Sequence, residues 1–220
     1  MTLLGLLDMS AAFDTVDHSV LLARLGTSFG IKGTALAWLR SFLTDRKQRV
    51  FFNGVSSLTV HITTGVPQGR VLGPLLFLLY SADLPIIADK HELGVHCYAD
   101  DGQSYLFDKA GNADVMFAKV ATCIEEIDLW MTTNRLKLNS DKTQFIWLGS
   151  RQQLLKVNVV NVQLGDYSVP LQPNVCSLGV HLDSQLTMGN TCSVSVGHRF
   201  TSCVSFDRSV HLSPRHPVQL

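Results

Sequence analysis

VHCYADDGQSYLF, Val95 to Phe107, is the stretch on which the fold turns. Val95–Tyr98 and Ser104–Phe107 are strand-like runs, and between them stands Asp100-Asp101-Gly102. Asp and Gly are turn residues, so the pattern predicts a β-hairpin with two carboxylates at its tip. Nearer the N-terminus, Leu3–Leu7 is a short apolar run ending at Asp8. It predicts a buried strand with a third carboxylate at its end.

The remaining segments alternate. Asp17 is placed to cap a helix running through Leu21, Leu22 and Leu25, and Thr34–Leu43 carries a helical stripe of Leu36, Leu39, Phe42 and Leu43. A basic turn, Arg46, Lys47 and Arg49, leads into a strand Val50–Phe52, which Asn53-Gly54 folds against Leu58–Ile62. Gly65–Gly73 reads as a glycine-rich loop, with Pro74 in the first turn of the next helix. Asp114 is placed to cap the longest helix, whose stripe is Phe117, Val120, Ile124, Ile127 and Met131. Lys142 falls in a turn before a strand Phe145–Leu148, and further strands are expected at Val157–Val162 and Leu178–Leu182. The fold class is therefore α+β, a mixed α/β domain.

Composition narrows the classes. The chain has 220 residues, 16% of them charged and 46% hydrophobic, enough for a sizeable core and against wholesale disorder. Its 18 basic and 18 acidic residues balance, so strong unaided binding to nucleic acid is not expected. Five scattered cysteines with no C-x-x-C pair read as reduced intracellular thiols. The eight histidines show no zinc spacing. Asp8 and the lack of a basic start argue against a signal peptide, and Gly73, Pro74, Asp83 and Pro85 make Val71–Ala88 a buried core helix, with no membrane partner expected.

Carboxylates at strand ends can converge from distant positions. Crowded carboxylates repel one another. Mg²⁺ relieves that conflict, since it prefers carboxylate and water oxygens and keeps phosphate as a partner. Two such ions can activate an attacking hydroxyl and stabilise a leaving pyrophosphate.

Four segments in order sharpen this chemistry: LLDMSAAFDTVDH (Leu6–His18), GVPQGRVLGPLLF (Gly65–Phe77), YADD (Tyr98–Asp101) and WMTTNRLKLNSDKTQ (Trp130–Gln144). Together they resemble the palm motifs of reverse transcriptases of non-LTR, LINE-type retrotransposons. LGVHLD (Leu178–Asp183) resembles that family's primer grip. The resemblance covers residues 1–188. It implies a palm-like antiparallel sheet packed by helices, acting as an RNA-directed DNA polymerase with RNA template, DNA primer and dNTP as partners. It further implies that Asp8, Asp100 and Asp101 bind two Mg²⁺ ions, with Mn²⁺ as a substitute, and that the Met9 carbonyl adds a ligand. By the same resemblance Phe13 is a steric gate against a 2′-hydroxyl. Gln68 and Gly69 lie beside the nucleotide and template. Lys142 protonates the leaving pyrophosphate.

Two positions depart from the family pattern. Arg70 stands where Ser usually follows Gln-Gly, and Gly102, where Thr is common, is expected to loosen the hairpin tip. The resemblance also implies that most of the fingers, the thumb and an endonuclease domain lie outside this chain. Residues 189–220 form an aberrant tail, expected to be disordered. With one choice of codons, TSCVSFDRSVHL (Thr201–Leu212) read one base earlier gives YQLRQLRSVRS, similar to the basic segment that follows the primer grip, so the tail reads as a frameshift product. As an isolated fragment the chain is expected to be inactive or weak. The alternatives are a non-enzymatic nucleic-acid-binding remnant and a pseudogene product. The family acts on chromosomal DNA, which points to an intracellular, nuclear location.

Overall fold

A computed structural model describes residues 1–67, 71–158, 161–164 and 167–187. In chain order the elements are β1 (Thr2–Leu7), α1 (Ala12–Thr15), α2 (His18–Thr27), α3 (Gly33–Leu43), β2 (Arg46–Gln48), β3 (Phe51–Phe52), β4 (Val55–Ser56), β5 (Val60–Ile62), α4 (Leu72–Tyr80) and α5 (Leu84–Lys90). They continue as β6 (Gly94–Tyr98), β7 (Asp101–Phe107), α6 (Ala113–Thr133), β8 (Gln144–Leu148), α7 (Arg151–Leu154), β9 (Asn161–Leu164), β10 (Tyr167–Pro170), β11 (Asn174–Ser177) and β12 (Val180–Asp183).

Alternation along β1 buries Leu3, Gly5 and Leu7 on one face. The strand lies inside a four-stranded sheet of order β6-β7-β1-β8, antiparallel throughout. Helices cover it. α6 buries Met116, Val120, Cys123, Ile124, Ile127 and Met131 at spacings of three and four. Each such side chain contributes about 1.5–3 kcal/mol on burial. Phe117, placed on this stripe by the sequence, is only partly buried, and Met116 takes its place.

The stretch Leu72–Lys90 is apolar enough by length and composition to cross a membrane. It folds as two helices broken at Ser81–Asp83, with Leu76, Phe77, Tyr80, Leu84 and Ala88 buried in this core. Arg24 ties the break to α2 and α6. Its guanidinium donates to the Tyr80 carbonyl and to Asn134 Oδ1 (3.1 Å), pairs with Asp83 (3.0 Å) and lies 5.2 Å from the centre of the Trp130 ring.

Asp17 caps α2 as its position predicts, Oδ1 accepting from the Ser19 and Val20 amides at 2.8 and 3.0 Å. The Ser19 hydroxyl, those amides and nearby Arg135 hold its carboxyl below the usual range, against an opposing effect of burial. A depressed carboxyl stabilises the fold above its unfolded value and loses that contribution as pH falls through the folded one. Asp17→Ala is therefore expected to lower stability at pH 7 by about 1–2 kcal/mol. The deficit relative to wild type should shrink as pH drops below 3.8. Urea unfolding at pH 7 and pH 3 checks this.

Several expectations need correction. Asp114 sits inside the first turn of α6, not at its cap, which is Asn112; there its charge favours the helix dipole. The basic segment Arg46–Gln48 is a strand, and it is this strand that pairs with Val60–Ile62. Phe51 and Phe52 pair instead with Ser56 and Val55. Residues 49–50 face 57–59 between the two ladders, and the extra residue makes a bulge that shifts the register by one. The Asp100-Asp101-Gly102 tip is displaced: the turn is Ala99–Asp100, and Asp101 and Gly102 belong to β7. Of the expected strand 157–162, residues 157–158 are not strand, 159–160 lie outside the described residues and Asn161–Val162 belong to β9; the strand expected at 178–182 begins at Val180, because Leu178 and Gly179 form a turn with positive φ. The tail from 189 lies outside the described residues.

Candidate active site

The register of the sheet builds the site. Leu7 pairs with Gly102, so one further step sets Asp8 opposite Asp101. Residues directly opposed on antiparallel strands share a face, with Cβ atoms about 4.5–5.5 Å apart. Asp100 occupies the two-residue turn that joins β7 to β6, where Tyr98 pairs with Asp101. Asp8 and the adjacent pair Asp100 and Asp101, from distant parts of the sequence, thus lie at the same end of the sheet.

Their proximity is felt at Asp101. Its carboxyl is raised above the ordinary range, first by burial and then by the charges of Asp100 and Asp8, with Lys142 opposing. Lys142 stands in the turn before β8, its Nζ 3.8 Å from Asp8 Oδ2. Asn139 donates from Nδ2 to the same oxygen at 3.0 Å, and its backbone amide donates to the Asp8 carbonyl at 2.9 Å. A bridge between Met9 and Leu138 continues this stitching. A cleft of about 270 Å³ opens here, lined by Asp8, Asp101, Gly102, Lys142, Ser177 and Leu178 among others. The β11–β12 hairpin forms one wall, fixed by a 2.7 Å hydrogen bond from Gln103 Nε2 to Ser177 Oγ. Among the described residues no three His, Cys, Asp or Glu side chains converge closely enough to chelate an ion.

Phe13, on α1, does not line this cleft. It is half-buried and packs on Phe77, the ring centres 5.0 Å apart. Gln68, Gly69 and Arg70 lie outside the described residues, and the segments on either side are tied down. The Gly65 amide donates to the Val16 carbonyl and the Val66 amide to the Phe13 carbonyl, both at 2.8 Å. His18 Nε2 donates to the Gly65 carbonyl at 2.8 Å, and Arg46 donates to the same oxygen. On the far side Gly73 packs so tightly that a Cβ there would come within 2.4 Å of the Pro67 carbonyl.

Gly102 corrects another expectation. It lies within the ladder rather than at the tip, and an added Cβ would meet nothing nearer than 3.5 Å. Glycine is not demanded there, and the turn's positive φ falls on Ala99. Asn139, whose side chain binds the Asp8 carboxylate, was not singled out from the sequence. Its one signal was a place in the fourth motif, three residues before Lys142.

Comparisons with known proteins agree with this geometry. Residues 2–182 match the family model described as reverse transcriptase (RNA-dependent DNA polymerase). A probable RNA-directed DNA polymerase from transposon BS of Drosophila melanogaster is 30% identical over 190 residues, covering 83% of this chain and 20% of the relative. The RNA-directed DNA polymerase of the mobile element jockey, from the same fly, is 26% identical over 186 residues, 82% of this chain and 19% of the relative. The chain thus spans about a fifth of the length of the curated relatives it matches. In fold it is similar to an apo telomerase from Candida tropicalis, with TM-score 0.55 and 16% identity over 85% of this chain and 34% of that one. A telomerase from Candida albicans, in complex with a fragment of telomeric RNA, gives TM-score 0.57 and 15% identity over 84% of this chain and 31% of that one. By the family match and these transposon relatives, the chain belongs to the reverse transcriptase family, in its non-LTR, LINE-type branch.

Proposed function

We propose that this chain carries the catalytic centre of RNA-templated DNA synthesis, in which a primer 3′-hydroxyl attacks the α-phosphate of a dNTP and pyrophosphate leaves. The observation that carries the reading is the β1–β7 register, which brings Asp8 beside Asp101 with Asp100 in the adjoining turn. Reverse transcriptases generally use divalent metal ions. The chemistry of the donor set suits a hard cation, since Asp101 feels the charges of Asp100 and Asp8, although the three carboxylates do not converge closely enough in this structure to chelate one. Asp8, Asp100 and Asp101 would hold two Mg²⁺ ions, or Mn²⁺. When bound, the ions supply activation of the hydroxyl and charge neutralisation on the leaving group.

The other groups bind, orient or move protons. Lys142, exposed at the rim, would give a proton to the departing pyrophosphate. Phe13 would exclude a 2′-hydroxyl, and Gln68 and Gly69 would flank the nucleotide and template. The turn at Leu178–Gly179 would steady the primer end, an assignment favoured by its place on the cleft wall. Positioning dominates phosphoryl transfer, and this chain is a small part of its relatives' length, so its rate alone should be low.

Primer extension on an RNA template with dNTPs tests the reading. Extension is expected with Mg²⁺ or Mn²⁺ and none with EDTA. A folded chain that extends nothing with either ion would overturn it.

Asn139 gives a finer prediction. Its amide fixes the Asp8 carboxylate, a bond to a charged group worth about 1.5–3 kcal/mol. Asn139→Ala is expected to raise the Mg²⁺ concentration for half-maximal extension about tenfold or more. A Mg²⁺ titration of extension rate, with circular dichroism to show an intact fold, measures this.

A further inference from the structure

The β2–β5 hairpin has no part in the carboxylate site, yet its surface is unusual. Phe51 and Phe52 are 70% and 73% exposed. Adjacent residues of a strand point to opposite faces, so this two-stranded ribbon presents one ring on each side. Val50, Val55 and Leu58 beside them are also exposed. Large apolar side chains left exposed together on one ribbon point to an interaction site.

Charge decides what kind. Lys47 and Arg49 are exposed and enter no ion pair among the described residues. From Arg46 to Ala82 the chain carries no Asp or Glu, although it is balanced overall. Protein interfaces are depleted in lysine. Aromatic rings beside uncompensated cations are what single-stranded nucleic acid uses, bases stacking on the rings and phosphates meeting the cations. The hairpin is also continuous with the candidate site: Arg46 donates to the carbonyls of Thr64 and Gly65, at 3.2 and 2.8 Å, on the segment leading to Gln68 and Gly69.

We infer that this hairpin is a docking platform for a single-stranded RNA template, with Phe51 and Phe52 stacking on bases and Lys47 and Arg49 holding phosphates. That the strand is a template rests on the polymerase reading; the binding itself does not.

The test is fluorescence anisotropy with a fluorescein-labelled single-stranded RNA of mixed sequence, in EDTA. Phe51→Leu/Phe52→Leu keeps the apolar surface but removes the stacking faces, and affinity should fall about tenfold or more. Lys47→Gln/Arg49→Gln should lower the slope of log affinity against log salt by about 1.4. Asp101→Asn should bind like wild type, so loss of polymerase activity and loss of docking are separable. Equal binding by wild type and both hairpin variants would overturn the proposal. Duplex RNA bound as tightly as the single strand, or capture of anionic lipid vesicles in place of RNA, would do the same. Unchanged melting temperatures, expected for such exposed side chains, show that any loss is local.

Discussion

Asp101→Asn is expected to lower primer extension by about 10³-fold while leaving the protein as stable as wild type or slightly more so. On the proposed reading, the activity loss follows from removing one of the three carboxylates that would meet the charge of the reacting phosphates through bound metal ions. The stability effect follows from the raised carboxyl. A group that binds its proton more tightly when folded contributes stability fully present below its unfolded value, near 3.8, and lost as pH rises through the folded value. At pH 7 the ionised Asp101 therefore opposes folding, through burial and through the charges of Asp100 and Asp8. Asparagine keeps the shape and removes that repulsion. Differential scanning fluorimetry run beside primer extension separates the two effects. Substantial activity in the variant would remove Asp101 from the mechanism, and a melting temperature several degrees lower would reduce its role to holding the fold.

The second large effect is expected at Gly65. Its φ is +82°, and a Cβ there would sit 2.9 Å from both the Cα and the carbonyl oxygen of Asp14. Valine meets two penalties at once, the left-handed backbone and a collision with main chain that cannot turn aside. Together they are expected to cost about 4 kcal/mol. The loss should appear as a shifted urea midpoint with an unchanged slope. Because the Val66 amide bonds the Phe13 carbonyl, molecules that remain folded should also discriminate less well between dNTP and rNTP. A midpoint within experimental error of wild type would show that the loop can leave α1 without consequence.

The sequence made the strand–carboxylate pattern legible because burial and turn chemistry leave strong local marks. Leu3–Leu7, Val95–Tyr98 and Ser104–Phe107 read correctly as strands, and α6 emerged from its three-and-four spacing. What escaped reading depends on contacts between distant segments. The turn fell on Ala99 because the β6–β7 ladder holds that alanine at φ +55°, against its own preference. The Arg46–Gln48 strand was hidden because three polar residues show no alternation; pairing with Val60–Ile62 alone makes them a strand. Asn139 reaches Asp8 across 131 positions, a distance over which no spacing rule operates.

The same β1 has a consequence for how the protein is made. Its two neighbours in the sheet are β7 and β8, so Thr2 pairs with Phe107 on one side and Leu148 on the other. At about 5–20 residues per second of synthesis, the strand leaves the ribosome and then waits roughly 7–30 s for its second partner. Throughout that interval a hydrophobic ribbon with unsatisfied edges is exposed, the condition under which nascent chains pair with one another. Productive expression should therefore depend on holdase chaperones and on slow translation at low temperature, and the carboxylate cluster cannot assemble until synthesis has passed β7.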